Sequence, residues 1–114
     1  MNNIQKGSLG EKLATNYLKS KGAYILENNY KLKFGEIDII VKLNEELVFV
    51  EVKARSNINF GYPSEAVNYK KKMKIKNVAK YYIVKNNLEK VPIRFDVIEV
   101  YLKNNEINHI ENAF

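Results

Sequence analysis

The chain has 114 residues, no cysteine and one histidine, with 19 Lys plus Arg against 13 Asp plus Glu for a formal net charge of +6. That length supports one domain, residues 1–114, around a single core. The lack of cysteine excludes disulfides, thiolate chemistry and Cys-type zinc sites, and a lone His109 excludes multi-histidine metal centres and fits a partly exposed structural role. No apolar run approaches the roughly 20 residues of a bilayer span, and residues 1–6 lack a signal-type hydrophobic segment. The expectation is a cytoplasmic protein with no membrane partner, drawn to polyanions by its charge.

The first helix is expected to begin after Ser8, since Ser8 with Glu11 three residues on matches a capping box. Leu9, Leu13, Tyr17 and Leu18 form its apolar stripe, and Gly22 closes it. Residues 23–27 then read as a first strand, with Asn28-Asn29 as a turn or strand end.

Residues 36–43 and 47–53 are rich in Ile, Val and Phe and flank Asn44-Glu45-Glu46, so they read as a β-hairpin. Alternation puts Glu36 and Asp38 on one face of the first strand and Glu51 and Lys53 on one face of the second. An even loop sets Asp38 opposite Glu51 and Glu36 opposite Lys53, whereas a one-residue slip sends the partners to opposite faces. Ile40 and Phe49 share the charged faces, while Ile37, Ile39, Val41, Val48, Val50 and Val52 fill the opposite ones. Apolar residues on both sides point to a central hairpin covered by helices.

Directly opposed side chains have Cβ atoms roughly 5 Å apart, so Asp38 and Glu51 can grip one divalent cation. Mg²⁺ suits such a pair, with Mn²⁺ as its substitute, because it takes one or two carboxylates and keeps several waters. Lys53 on the same face would orient an attacking water or neutralise a phosphate as charge develops. The competing account is a solvated cross-strand ion pair, which contributes little.

Residues 54–63 break the periodicity and read as a loop. Arg55 there is either a phosphate anchor or a solvated arginine, and Phe60 and Tyr62 either stack on bases or pack on the core. A long helix follows, starting near Val67 or Asn68 and ending near Asn86-Asn87. Ile75, Val78, Ala79, Tyr82 and Ile83 mark its packed face. Lys70, Lys71, Lys72, Lys74 and Lys76 crowd its other face, as a solvated run or a phosphate-tracking surface, with Lys70 the best single candidate because it is nearest the loop. Residues 93–102 form a strand apolar on both faces, in which Asp96 is most economically paired with Arg94 or with a helix end. Asn104-Asn105 is a hairpin turn leading to an edge strand over 107–110. The fold class is α/β: a central mixed sheet of about four or five strands between the N-terminal helix and the long second helix.

The run Gly35-Glu36-Ile37-Asp38 with Phe49-Val50-Glu51-Val52-Lys53-Ala54-Arg55 resembles the PD-(D/E)xK nuclease core, without the Pro before the Asp. With residues 10–14, 61–67, 94–97 and 112–114, the whole chain resembles the YraN family of predicted endonucleases, similar in turn to archaeal Holliday junction resolvases. The resemblance implies a restriction-endonuclease-like core and a Mg²⁺-dependent endonuclease. Asp38 and Glu51 would be its metal ligands, Lys53 its catalytic lysine, and Arg55 and Lys70 its phosphate contacts. It also implies DNA as partner, branched DNA in particular, and a homodimer, although no residue pattern marks a dimer surface. Glu11 matches the position of a helix-borne acid that joins the metal cluster in resolvase-like enzymes, and this reading stands beside the capping one. The runner-up function is a nucleic-acid-binding module without turnover, followed by a protein-interaction scaffold whose acids merely pair with Lys53.

Overall fold

A computed structural model of the chain describes residues 1–56 and 68–114. Its elements are α1 (Asn3–Ser20), β1 (Tyr24–Leu32), β2 (Gly35–Leu43), β3 (Glu46–Arg55), α2 (Tyr69–Lys85), β4 (Ile93–Tyr101) and β5 (Glu106–Ile110). The strands form one mixed sheet in sequential order, β1-β2-β3-β4-β5. Only β3 and β4 pair in parallel, and the segment between them carries α2 across the sheet, as a parallel pair requires. This is the α/β class, a mixed sheet of five strands between two helices, that the sequence leads one to expect. Phe60 and Tyr62, and the matched run at 61–67, lie outside the described residues. Among the described residues, no helix is long and apolar enough to cross a membrane.

Alternation along the central strands feeds two cores. On one face Ala14 and Leu18 of α1 cover Ile39, Val41, Leu43, Val48, Val50, Ile98 and Val100. On the other, Ile75, Val78, Ala79 and Tyr82 of α2 cover Ile37, Ile40, Leu47, Phe49 and Val97. Phe49 is fully buried, stacks on Phe95 with ring centroids 5.4 Å apart, and meets Tyr82 edge-on. A side chain of that size contributes about 1.5–3 kcal/mol by leaving water.

Four local expectations are corrected. α1 starts at Asn3, not after Ser8: Asn2 is the cap, its Oδ1 accepting from the Gln5 amide at 2.8 Å while Gln5 Oε1 accepts from the Asn2 amide at 2.9 Å. Both pairs fit the capping-box pattern, and the upstream one gives two further turns of helix. β1 is longer than residues 23–27 and runs straight through Asn28-Asn29, with Asn29 taking a left-handed φ of 52°, a conformation Asn tolerates. β3 continues to Arg55, so Ala54 and Arg55 belong to the strand and not to the loop.

The fourth correction concerns the face of Ile37. Strict alternation puts it with Ile39, yet it packs with Ile40 in the α2 core. Its partner Tyr30 also packs in that core, whereas Asn28, opposite Ile39, reaches Thr15 of α1 through its side-chain amide at 3.1 Å. The alternation therefore slips in both strands at the same level, at Asn29 and Asp38. Asp38 sits at the slip.

Two glycines set the helices close to the sheet where the candidate site lies. A Cβ on Gly10 would fall 2.8 Å from Ala54 Cβ, so α1 touches the end of β3 and carries Glu11 toward it. A Cβ on Gly35 would fall 3.0 Å from Val78 Cγ2, so α2 rests on the β1–β2 turn.

Candidate active site

The β2–β3 turn is two residues, Asn44 and Glu45, both with positive φ (51° and 67°), as a tight primed hairpin turn demands. This is the even loop that the acid pair requires. The ladder runs from Leu43↔Glu46 to Ile39↔Val50 and ends there. One step further the same register sets Asp38 opposite Glu51. In place of a further ladder bond, the Val52 N–H donates to Asp38 Oδ2 at 2.8 Å, so the carboxylate fills the opening between the two strands. The slip in alternation at residue 38 turns the side chain toward β3 in this way.

Glu51 is 6% exposed, and two ammonium groups reach its Oε1: Lys71 Nζ at 2.8 Å and Lys53 Nζ at 3.8 Å. Burial, then the nearby Glu51 charge, pushes Asp38 from the ordinary carboxylate range up to about 7. The Val52 amide and the Lys71 charge oppose that rise without cancelling it, and Glu11 adds to it. Lys53 is held below the usual lysine value, first by burial and then by the adjacent Lys71. Burial is the largest single influence on Lys71 and works against its charged form, but the bonds with Glu51 and Lys53 and the charges of Glu51 and Asp38 together leave it raised.

Glu11 lies in the third turn of α1, far from the N-cap, so the capping role is excluded by the upstream start of the helix. Its carboxyl is raised by burial and by Glu36, partly offset by a hydrogen bond with Asn28, and its charge is felt by Asp38. It borders the acid pair without packing into it: among the described residues no three His, Cys, Asp or Glu side chains converge as a ligand cluster.

Arg55, on the face shared by Glu51 and Lys53, donates from Nε to Glu99 Oε2 at 2.8 Å. Glu99 is fully buried on β4, one register step from the site at Lys53↔Glu99, and also accepts from the Tyr101 hydroxyl. Lys70 is exposed at the start of α2. The structure thus assembles Asp38, Glu51 and Lys53, sets Glu11 at their margin, clamps Arg55 to a buried carboxylate and leaves Lys70 on the rim.

Sequence reasoning missed two participants. Lys71, and not Lys70, is the basic residue of α2 that reaches the acids; a count of helical turns back from Ile75 puts position 71 on the packed face and was the available signal. Glu99 gave itself away only as an acid inside an apolar strand.

The two carboxylates fit a hard divalent cation. They are oxygen donors on facing strands, in the number that Mg²⁺ commonly takes from protein, and the ammonium 2.8 Å from Glu51 shows that the pair draws positive charge.

An α/β domain with an acid pair and a lysine at the open end of a central hairpin is the class of protein that fold and site together define. Residues 10–100 match the model of the uncharacterised protein family UPF0102. A UPF0102 protein of Clostridioides difficile is 68% identical over 114 residues, covering all of both chains, and one of Alkaliphilus oremlandii is 54% identical over 116 aligned positions, covering 98% of this chain and 99% of that one. The chain belongs to the UPF0102 family, the group that the likeness to YraN proteins leads one to expect. The solved structure of Pyrococcus furiosus SfsA in complex with Ca²⁺ aligns with 96% of this chain and 64% of that one at 16% identity, with a TM-score of 0.35. The family assignment rests on the sequence relatives.

Proposed function

We propose that this protein is a metal-dependent endonuclease that hydrolyses phosphodiester bonds in DNA. The observation that carries the reading is the opposition of half-buried Asp38 and buried Glu51 with Lys53 two residues beyond, in a place where Asp38 is left with too few donors to stay an ordinary carboxylate. A structural role would be expected to satisfy such acids, since an unpaired buried charge is costly and perturbed acids cluster at functional sites.

Asp38 and Glu51 would hold the ion, Mg²⁺ or Mn²⁺. When bound, it supplies Lewis-acid polarisation of a phosphate oxygen and a lowered pKa for a coordinated water. Asp38, fixed through Oδ2 by the Val52 amide, would offer Oδ1 to the ion. Lys53 donates to the attacking water or to a non-bridging phosphate oxygen as charge develops there. Lys71, which holds Glu51 at 2.8 Å, would also be within the site to contact a phosphate oxygen. Arg55, oriented by Glu99, and Lys70 on the rim hold the neighbouring phosphates. Glu11 tunes the field at Asp38 from α1 and would complete the cluster. The enzyme would act in the cytoplasm, and the likeness to Holliday junction resolvases favours branched DNA cut by a homodimer.

The test is incubation of wild type, Asp38→Ala and Lys53→Ala with linear, flap and four-way DNA in Mg²⁺, Mn²⁺ or EDTA. Metal-dependent cutting that falls by about 10²-fold or more in each variant is expected. Cutting that persists in EDTA, or in both variants, overturns the mechanism. Salt-sensitive binding with no cutting by wild type replaces it with the nucleic-acid-binding module.

A further inference from the structure

A groove of ≈ 810 Å³ runs between the β1–β2 turn and the first turns of α2. Lys31 and Lys33 line one side, Lys70 and Lys74 the other, and Glu36 is the one carboxylate among its described lining residues. Among the described residues none of these four lysines makes a salt bridge, whereas Lys71, which also lines the groove, ends on Glu51. Lys71 therefore links the groove to Glu51, although neither Asp38 nor Glu51 lines it.

Phe34 stands at the tip of the turn and is 50% exposed. Its ring meets Tyr81 of α2 edge-on, with centroids 6.4 Å apart, so it is held in place at the groove wall without being covered. A large apolar ring kept in water at the mouth of a lysine-lined channel has no account in the packing of the core. Its position is set by Gly35, which lets the turn lie directly against Val78.

We infer that this groove binds a single unpaired strand of DNA, with its phosphates on Lys31, Lys33, Lys70 and Lys74 and one base stacked on Phe34. The charge selects a polyanion. The aromatic ring selects an unpaired strand, because a base offers its face to a side chain only when it is free of a duplex stack, and such stacking with a basic groove is how sequence-tolerant single-strand sites are built. The inference rests on the nuclease reading for its biological sense: the groove would lead the free strand of a branched substrate to the acids. Its binding chemistry is independent of cleavage.

The experiment is fluorescence anisotropy of a labelled oligo-dT and of a duplex of equal length with the full chain in EDTA, where no metal-dependent cutting occurs. The single strand is expected to bind at least several-fold more tightly than the duplex. Phe34→Ala is expected to weaken single-strand binding about tenfold and leave duplex binding unchanged. Lys33→Glu and Lys74→Ala are expected to weaken it and to flatten its salt dependence, by roughly 0.7 in the log–log slope for each phosphate left without its lysine. Both side chains are exposed, and circular dichroism checks the fold of each variant. Duplex binding equal to or tighter than single-strand binding, or single-strand affinity untouched by Phe34→Ala, overturns the inference. If wild type binds as expected but cuts nothing in Mg²⁺, the groove stands and the nuclease reading fails; if it cuts while Phe34→Ala changes nothing, the reverse holds.

Discussion

Two acids in this sheet, one fully buried and one half-buried, have opposite surroundings. Asp96, fully buried on β4, takes Arg94 Nε on Oδ1 and Nη2 on Oδ2, both at 2.9 Å, the His109 ring at 2.7 Å and the Asn112 amide at 3.0 Å. Arg94 is in turn held by Glu46 at 3.1 Å, and His109 Nδ1 by the Tyr17 hydroxyl at 3.0 Å. Asp38 has the single Val52 amide among the described residues, and a second carboxylate facing it. Burial raises both groups, but at Asp96 the bonds from His109, Arg94 and Asn112 win and the net shift is downward, while at Asp38 the net value is about 7. An acid surrounded by donors belongs to the structure of the protein. An acid short of donors, beside another acid, is poised for a ligand.

The largest consequence is expected at Asp96. Removing it in Asp96→Ala leaves Arg94 buried without its partner, and breaking a buried pair in this way costs about 3–5 kcal/mol. Urea unfolding of the variant should show that loss, with Asp96→Asn moving in the same direction by less. A loss under about 0.5 kcal/mol would mean that the network is ornamental and the contrast with Asp38 empty.

The next consequence has the opposite sign. Asp38→Asn removes a group the fold disfavours when charged, so metal-free stability at pH 8 should hold or rise. Because the native Asp38 value, about 7, lies above its ordinary 3.8, the native state keeps a proton that the unfolded chain releases between those values. Stability from this group is therefore present at the acid end of the window and lost as pH rises through 7. Asp96, with its lowered value, behaves conversely: its contribution is present above the ordinary value near 3.8 and is lost as pH falls below it. Urea midpoints at pH 5 and pH 8 in EDTA check this, since the wild type should lose stability between the two relative to Asp38→Asn. Equal pH dependence in both proteins would show that Asp38 is not the strained acid.

Much of this contrast is legible in the sequence. The hairpin announces itself by two β-rich runs about a polar break, and the even turn follows from requiring both acids to share a site. The pairing of Asp96 with Arg94 is readable from their spacing of two on one strand. Other features depend on tertiary placement that no local pattern encodes. Asn2-Gln5 and Ser8-Glu11 are equally good caps, and only the packing of Gly10 on Ala54 shows that the helix is already under way there. The slip of alternation at Asp38 comes with a left-handed Asn29 on the neighbouring strand, which an Asn-Asn pair suggests as a turn. Arg55 meets Glu99 through the parallel register of β3 and β4, strands separated by a whole helix in sequence. Lys71 differs from its lysine neighbours only by the rotation of α2, which Ile75 and Val78 fix by burying their side chains.

Lys71 gives the smallest effect and the finest test. Its ammonium sits on Glu51 at 2.8 Å, so Lys71→Met should shift two groups upward: Asp38 further above its ordinary range, and Lys53 back toward the usual lysine value, since Lys71 lowers both. Carbon-detected titration of the Asp38 carboxyl and the Lys53 Cε reads these directly. Stability should change by less than about 1 kcal/mol, because the Lys71 side chain is 41% exposed and ion pairs open to water contribute little. Should the variant instead lose as much as Asp96→Ala, Glu51 would be as firmly embedded in a structural network as Asp96 is. The two ends of the sheet would then no longer differ in kind, and the acid pair would have to be read as scaffold.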